Sequence, residues 1–367
     1  MAYRKTSHGS VYALFEASFQ KPTDAVSSDT STASHKAHCS RVDASSNALI
    51  QRHILVGGRH GDLPVLVYLA IRGTIDFYVH LNIFDALKTE LKYWQRTGVG
   101  KLVWLANSSF KGGFLADAMG RGKSLQAMVA ALEVKRTMPT RSGFIAIVTR
   151  AGCVIQWANE IKRHFKPEHC PSWIIIDDAK IDTTRRLEYD IVISSREFLK
   201  SRYRDSLTFE HFCHVRVALG LTEAQKIKAG RVQRPNLVLH SDYYSQINRN
   251  IAVLILDESH GCRNDESVYF DAVKSLKYHH LFMLSGTPMF NQFHDIVGQS
   301  RLLPGGGLFS NMKHFRSLFY EHEDQRSPTG PKYHLFTRLY QGLMVALPKS
   351  MVKLISMKGV ESKKDSS

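Results

Sequence analysis

The sequence is poor in cysteine and contains no long hydrophobic run. Five cysteines occur among 367 residues, and none belongs to a C-x-x-C pair. This scarcity excludes a disulfide-built scaffold and argues against a zinc module with paired ligands, so it favours reduced thiols inside the cell. No apolar stretch approaches the roughly 18 residues of a membrane span, and the first ten residues lack the apolar segment of a secretory signal. We therefore expect a soluble intracellular protein with no membrane partner.

Acidic residues are scarcer than basic ones. Lys and Arg number 49 against 33 Asp and Glu, which gives a formal net charge of +16 at pH 7. An excess of this kind favours a polyanionic partner such as nucleic acid, although many soluble proteins are also basic. The hydrophobic fraction of 43% is sufficient for a substantial core, and the length allows one large or two ordinary domains.

Composition divides the chain into four regions. Residues 1–50 are rich in Ser, Thr, Ala and Asp, with few large apolar residues between about 22 and 47, and we predict a disordered, low-complexity region. Residues 51–86 contain strand-like apolar stretches without recognisable chemistry and form an unassigned extension. Residues 87–303 carry the motifs described below, beginning with a helix predicted over Leu87 to Leu105. Residues 304–367 form a C-terminal extension that ends in a polar tail.

The segment GGFLADAMGRGKS, from Gly112 to Ser124, combines an apolar run, a glycine turn and a helix start. Gly120 and Gly122 allow the backbone to direct its N–H groups at a phosphate, while Lys123 adds a positive charge and Ser124 a hydroxyl for magnesium. Asp117 occupies the position where the formal phosphate-loop pattern has its first glycine. The motif alone therefore remains compatible with an ordinary glycine turn before a helix.

Apolar runs alternate with helix-compatible stretches after this loop. Strands are predicted at 143–149, 173–177, 189–195, 251–260 and 279–288, with helical stretches around 155–165 and 267–276. This alternation predicts an α/β fold with a mostly parallel sheet and helices on both faces. Ligands collect at the carboxyl ends of the strands in such sheets.

Polar groups follow the apolar parts of two of these strands directly. Asp257 and Glu258 follow IAVLIL, and the triplet Ser285, Gly286 and Thr287 follows LFML. Adjacent carboxylates beside a phosphate loop are typical of a magnesium ligand followed by a residue that orients the attacking water. We expect both groups to share one sheet edge with Lys123 and Ser124.

The segment from about 204 to 250 is too long for an ordinary connection, and we interpret it as an insertion. It contains a basic cluster formed by Lys226, Lys228, Arg231 and Arg234. Two explanations stay open for this cluster: a solvated charged face, or a contact with DNA or RNA phosphates.

These motifs resemble the amino-terminal ATPase lobe of the Swi/Snf-type DNA translocases, members of helicase superfamily two. The similarity covers about Leu87 to Leu303. LADAMGRGKS at 115–124 resembles the family's LADEMGLGKT, the box Asp257-Glu258-Ser259-His260 resembles its DEAH or DEGH, and LSGTPMFN at 284–291 resembles its LTGTP-x-x-N. Three lesser motifs agree in order, at 91–99, 148–165 and 189–199.

The resemblance implies a RecA-like domain that binds ATP and Mg²⁺ and acts on duplex DNA or chromatin in the nucleus. It implies catalytic roles for Lys123 and Glu258, and magnesium binding by Ser124 and Asp257. The nucleotide would also be bound by Gln95, Asp117, Gly120 and Gly122. His260 and Ser285 to Thr287 would couple the nucleotide state to a companion lobe and to DNA.

Several departures bear on activity. Ala118 replaces an acidic residue of the family loop, and Arg150 stands where the family commonly has proline. No second alternating sheet and no arginine-bearing motif of a second lobe are recognisable after Leu303. We therefore expect the second half of the ATPase to be supplied by a companion lobe or by a protein partner in trans. The alternative is a non-catalytic interaction protein that keeps the nucleotide fold to bind chromatin or a partner.

Overall fold

The structure is a computed structural model, and it describes residues 85–138, 143–178, 188–218, 239–240, 250–288, 293–305, 307–310, 312–322, 325 and 327–346. The predicted disordered region, nearly all of the extension 51–86 and the polar tail lie outside the described residues. So does the whole basic cluster, Lys226, Lys228, Arg231 and Arg234. Among the described helices, none combines the length and apolarity that crossing a bilayer requires.

Seven strands of the described chain form a single sheet in the order β3-β4-β2-β5-β6-β1-β7, and every neighbouring pair is parallel. The strands are β1 (Gly112–Leu115), β2 (Phe144–Thr149), β3 (Trp173–Ile176), β4 (Ile191–Ser195), β5 (Ile251–Asp257), β6 (Tyr278–Leu284) and β7 (Met344–Val345). The predicted α/β class with a mostly parallel sheet is confirmed.

The central strands are apolar along their whole length because both faces of the sheet are covered. All six residues of β2 are buried, and so are the first six residues of β5, Ile251 to Leu256. A strand exposed on one face would alternate polar and apolar side chains, whereas a strand covered by helices on both faces does not. This property explains why continuous apolar runs identified the strands correctly.

Helices connect the strands: α1 (Tyr93–Asn107), α2 (Lys123–Thr137), α3 (Val154–His164), α4 (Arg196–Ala218), α5 (Val268–Lys274), α6 (Phe293–Ser300), α7 (Gly307–Ser310), α8 (Met312–Phe319) and α9 (Gly330–Leu343). The chain moves one way along the sheet from β1 through β2 to β3 and the opposite way from β3 onward. Right-handed crossovers therefore put α2 and α3 on one face and α4 and α5 on the other. The packing agrees, since α2 contacts α3 whereas α4 contacts α5.

Of the element boundaries that differ from the sequence-based expectations, three change the architecture. Helix α1 begins at Tyr93 rather than Leu87, because Leu87 forms an antiparallel bridge with Phe165 at the end of α3. Helix α4 continues to Ala218, so the first part of the predicted insertion 204–250 belongs to a helix that starts in the lobe. The sheet also continues past residue 303, because β7 pairs with β1.

The helices between β6 and β7 pack through aromatic side chains. The rings of Phe315 and Phe319 lie 4.7 Å apart, as do those of Phe336 and Tyr340, and Phe309 contacts both pairs. Such ring pairs contribute on the order of 1 kcal/mol each beyond the burial of their area. This cluster docks α9 beside the sheet, so that β7 pairs with the last two residues of β1, Phe114 and Leu115.

Candidate nucleotide-binding site

The polar groups predicted from the sequence meet at the carboxyl ends of β1, β5 and β6. These three strands are adjacent in the sheet. Ser285 extends the pairing of β6 with β1, because its N–H donates to the Leu115 carbonyl at 3.2 Å. The loop after β1, the acidic pair after β5 and the Ser285 turn after β6 therefore share one edge. Parallel strands bring together groups that are far apart in sequence because all of them end on the same side.

The loop after β1 has the backbone shape of a phosphate loop. Gly120 and Gly122 both have positive φ, 77° and 76°, which side-chain-bearing residues rarely adopt. Gly122 precedes the first residue of α2, so the free N–H groups of the helix face the loop. The Lys123 ammonium donates to the carbonyls of Asp117 at 2.8 Å and Ala118 at 3.2 Å.

Lys123 is held among carboxylates. Partial burial lowers the pKa of Lys123, and the negative charges of Asp117, Glu258 and Asp257 oppose that shift. All three carboxylates thus affect the same ammonium group, although two of them follow a different strand. This agrees with the shared sheet edge, which places the loop after β1 near the acidic pair after β5.

The side-chain amides of Gln95 and Gln126 form hydrogen bonds with the loop after β1. Gln95 on α1 accepts a hydrogen bond from the Lys92 N–H at 2.9 Å and donates to the Arg121 carbonyl at 3.2 Å. Gln126 on α2 is fully buried and donates to the same carbonyl and to the Asp117 carboxylate, at 3.3 and 3.1 Å. Gln95 thus lies against the loop, and Gln126 is a loop-positioning residue that the sequence motif did not reveal.

The Asp257 carboxylate lies at the end of β5 in a cage of three donors. Its Oδ2 atom accepts from the Thr149 hydroxyl at 2.8 Å and from the Trp157 indole N–H at 2.9 Å, and its Oδ1 atom accepts from the Glu258 N–H at 3.0 Å. The sequence motif at 148–165 contains Thr149 and Trp157, but no spacing rule connects either residue to Asp257.

Glu258 is the second residue of the acidic pair at the end of β5. Its backbone is left-handed, with φ of 51°, a conformation that is costly for a residue with a side chain and that concentrates at functional sites. A hydrogen bond with His260 holds the pKa of Glu258 below its usual range, and the charges of Arg150 and Lys123 act in the same direction. The carboxylate is therefore ionised at neutral pH.

His260 joins the acidic box to the turn after β6. Its Nδ1 atom lies 3.2 Å from the Glu258 carboxylate and 3.3 Å from the Ser285 hydroxyl, which in turn accepts the Thr287 N–H at 3.1 Å. A second connection runs from the buried Ser259 hydroxyl to Gln299 of α6 at 2.8 Å. Gly286 and the exposed Thr287 lie at the outer end of this turn, where another surface could contact them.

Residues 94–355 match the SNF2-related domain family, which is more than half of the chain. The chain belongs to the SNF2-related domain family. It is 28% identical to the ATP-dependent helicase rhp16 of Schizosaccharomyces pombe over 211 residues, which cover 57% of this chain and 21% of that protein. It is 26% identical to the DNA repair and recombination protein RAD26 of Saccharomyces cerevisiae over 197 residues, which cover 50% of this chain and 18% of that protein.

This chain is also similar to a solved structure. The solved SWI2/SNF2 ATPase core of Sulfolobus solfataricus in complex with dsDNA aligns with a TM-score of 0.49 and 19% identity, covering 71% of this chain and 45% of that chain. The chain spans about a fifth of the length of the two curated relatives named above. Both relatives therefore contain much sequence that this chain does not match.

Proposed function

We propose that this chain is the ATP-binding lobe of a DNA-dependent ATPase, a translocase of the chromatin-remodelling type. The observation that carries the proposal is that the glycine loop with Lys123, which follows β1, and the pair Asp257 and Glu258, which follows β5, lie at the same edge of the sheet. A glycine turn alone has many uses, whereas a glycine turn, a lysine and two carboxylates at one sheet edge match the requirements of phosphoryl transfer.

Magnesium fits the groups present. Asp257 keeps lone-pair capacity on Oδ1, and the Ser124 hydroxyl makes no hydrogen bond to the described part of the chain. Both are oxygen ligands, which Mg²⁺ prefers. We assign Ser124 and Asp257 to Mg²⁺, which would neutralise charge on the phosphates of bound ATP.

The remaining residues have distinct roles in this proposal. Lys123 leaves its two carbonyl acceptors and binds the terminal phosphates, while the N–H groups of the loop between Gly120 and Ser124 surround them. Glu258, ionised at neutral pH, accepts a hydrogen bond from the attacking water and so orients it. His260 and Ser285 would transmit the position of Glu258 to Gly286 and to the exposed Thr287.

Duplex DNA is the proposed partner, and the nucleus is the proposed location. The net charge of +16 and the family membership support contact with the phosphate backbone, which needs no sequence recognition. The described residues form a single sheet, so we propose that a companion lobe, in the same protein or in trans, supplies the arginine that completes the site.

Steady-state ATP hydrolysis with and without duplex DNA tests this function. Because an arginine finger contributes a factor of roughly a thousand to a hundred thousand, we expect very slow turnover by the 367 residues and little stimulation by DNA. The residual activity should disappear in Glu258→Gln. Robust DNA-stimulated turnover would contradict the need for a companion lobe, and failure to bind ATP at all would favour the non-catalytic interaction protein.

A further inference from the structure

The Asp257 carboxylate is anchored by two buried donors from two different elements. Thr149 is the last residue of β2 and Trp157 lies on α3, and their side chains donate to the same oxygen, Oδ2, at 2.8 and 2.9 Å. Thr149 is 1% exposed and Trp157 is 2% exposed. Neither residue belongs to the loop, the acidic box or the turn after β6.

The hydrogen bonds leave the carboxylate one free acceptor position. A carboxylate has about four lone-pair sites, two on each oxygen. Thr149 and Trp157 occupy both sites of Oδ2, and the Glu258 N–H at 3.0 Å occupies one site of Oδ1. We infer that Thr149 and Trp157 are positioning residues for the magnesium-binding carboxylate, which they orient so that Oδ1 faces the metal. This inference rests on the proposed function.

The two donors are neutral, and this property suits a metal site. A lysine or arginine in the same place would orient the carboxylate but would also compete with the cation for its negative charge. A hydroxyl and an indole N–H fix the geometry while leaving the full charge to Mg²⁺. Residues that orient a ligand in this way typically change metal affinity or activity about 10- to 100-fold when they are removed.

The fold explains why both donors reach the same oxygen. β2 and β5 are neighbours, and Val148 pairs with Leu256, so the residues that follow them, Thr149 and Asp257, end side by side. The buried side of α3 comprises Val154, Trp157, Ala158 and Ile161. Packing of that side against the sheet aims the indole N–H at the end of β5. The docking of α3 therefore determines the orientation of Asp257.

A purely structural role would be to satisfy two buried donors, and the test must separate it from positioning of a metal ligand. Trp157→Phe removes the N–H and keeps an aromatic ring, and Thr149→Val removes the hydroxyl at nearly the same volume. Thr149→Ser restores the hydroxyl. Trp173→Phe is the matched control, because Trp173 begins β3 at the opposite end of the strands and contacts Lys162 instead of the site.

The measurement is binding of a fluorescent ATP analogue to the full chain, titrated with Mg²⁺ and repeated in EDTA. We expect Trp157→Phe and Thr149→Val each to raise the Mg²⁺ concentration at half-saturation about 10-fold, with the affinity in EDTA unchanged. Thr149→Ser and Trp173→Phe should match the wild-type protein in both conditions.

Each other outcome overturns the inference. Unchanged Mg²⁺ dependence in both variants, with wild-type binding intact, would refute the positioning role and leave the proposed function standing. Equal loss of affinity with and without Mg²⁺ would show a packing role only. A wild-type protein that binds no nucleotide in either condition would refute the proposed function itself, and the inference would fall with it.

Discussion

Gly120 and Gly122 have nearly the same positive φ but different surroundings. A Cβ atom at Gly120 would meet nothing within 4 Å, whereas one at Gly122 would lie 2.3 Å from the Gln95 amide nitrogen. We expect Gly120→Ala to lower the free energy of unfolding by about 1 kcal/mol through backbone strain alone. Gly122→Ala should cost about 2 to 3 kcal/mol, because Gln95 must also give up its bonds to Lys92 and Arg121. Urea unfolding of both variants measures the difference.

The Gln95→Ala background provides the control for this comparison. If displacement of the Gln95 amide causes the extra cost, the two glycine variants should become equally destabilising once that side chain is truncated. An extra cost at Gly122 that persists without the Gln95 amide would show that its surroundings matter in some other way.

At the scale of elements, Lys101 connects α1 to the junction of α9 and β7. Its ammonium donates to the Gln341 carbonyl at 3.1 Å and the Met344 carbonyl at 2.6 Å. Burial lowers the pKa of Lys101 to about 8 from its ordinary value of 10.5. Between these two pH values the unfolded chain binds more protons than the folded chain, so stability should rise with pH across that window.

We expect this rise to be about 1 to 2 kcal/mol. The full pKa shift would correspond to about 3 kcal/mol, and the partial exposure of Lys101 reduces it. The measurement is the free energy of unfolding in urea at pH 7.5 and 10.5, compared between the wild-type protein and Lys101→Met. Other groups also titrate in this range, and their contributions to the pH dependence cancel when the two proteins are compared. The same pH dependence in both proteins would contradict a perturbed Lys101.

The strands that could be predicted from the sequence are those whose two faces have the same environment. β2 and β5 are covered on both faces, so their sequences are continuous apolar runs. β7 has only two residues and exists because the aromatic cluster of α7 to α9 brings it to β1. No local pattern of two residues can predict such a strand.

The candidate site divides in the same way. Lys123, Asp257, Glu258 and Ser285 could be placed at one edge because strand ends in a parallel sheet follow from the apolar runs. Thr149 and Trp157 could not, since their contacts with Asp257 span 108 and 100 residues and depend on the docking of α3. The role of Gln126 could not be predicted for a similar reason, because no sequence pattern indicates what a single polar side chain on a buried helix face contacts.

At the scale of the whole molecule, the proposed function requires a nucleotide bound between the loop after β1 and the acidic box. In this proposal Lys123 would contribute to binding, because it would donate to charged phosphates, whereas Glu258 would contribute to the orientation of water. Glu258→Gln keeps the size of the side chain and should leave affinity within about threefold of wild type. Lys123→Ala should lower the affinity for the nucleotide about 10- to 100-fold, as expected for the loss of a hydrogen bond to a charged group.

The most direct test is equilibrium titration of a fluorescent ATP analogue in excess Mg²⁺ with the wild-type protein, Lys123→Ala and Glu258→Gln. Lys135→Ala is the matched control, because it removes a lysine from the last turn of the same helix, where it pairs with Asp190. We expect weak but measurable binding that falls sharply only in Lys123→Ala. Equal loss of affinity in Lys123→Ala and Glu258→Gln, or no difference between Lys123→Ala and Lys135→Ala, would contradict this expectation.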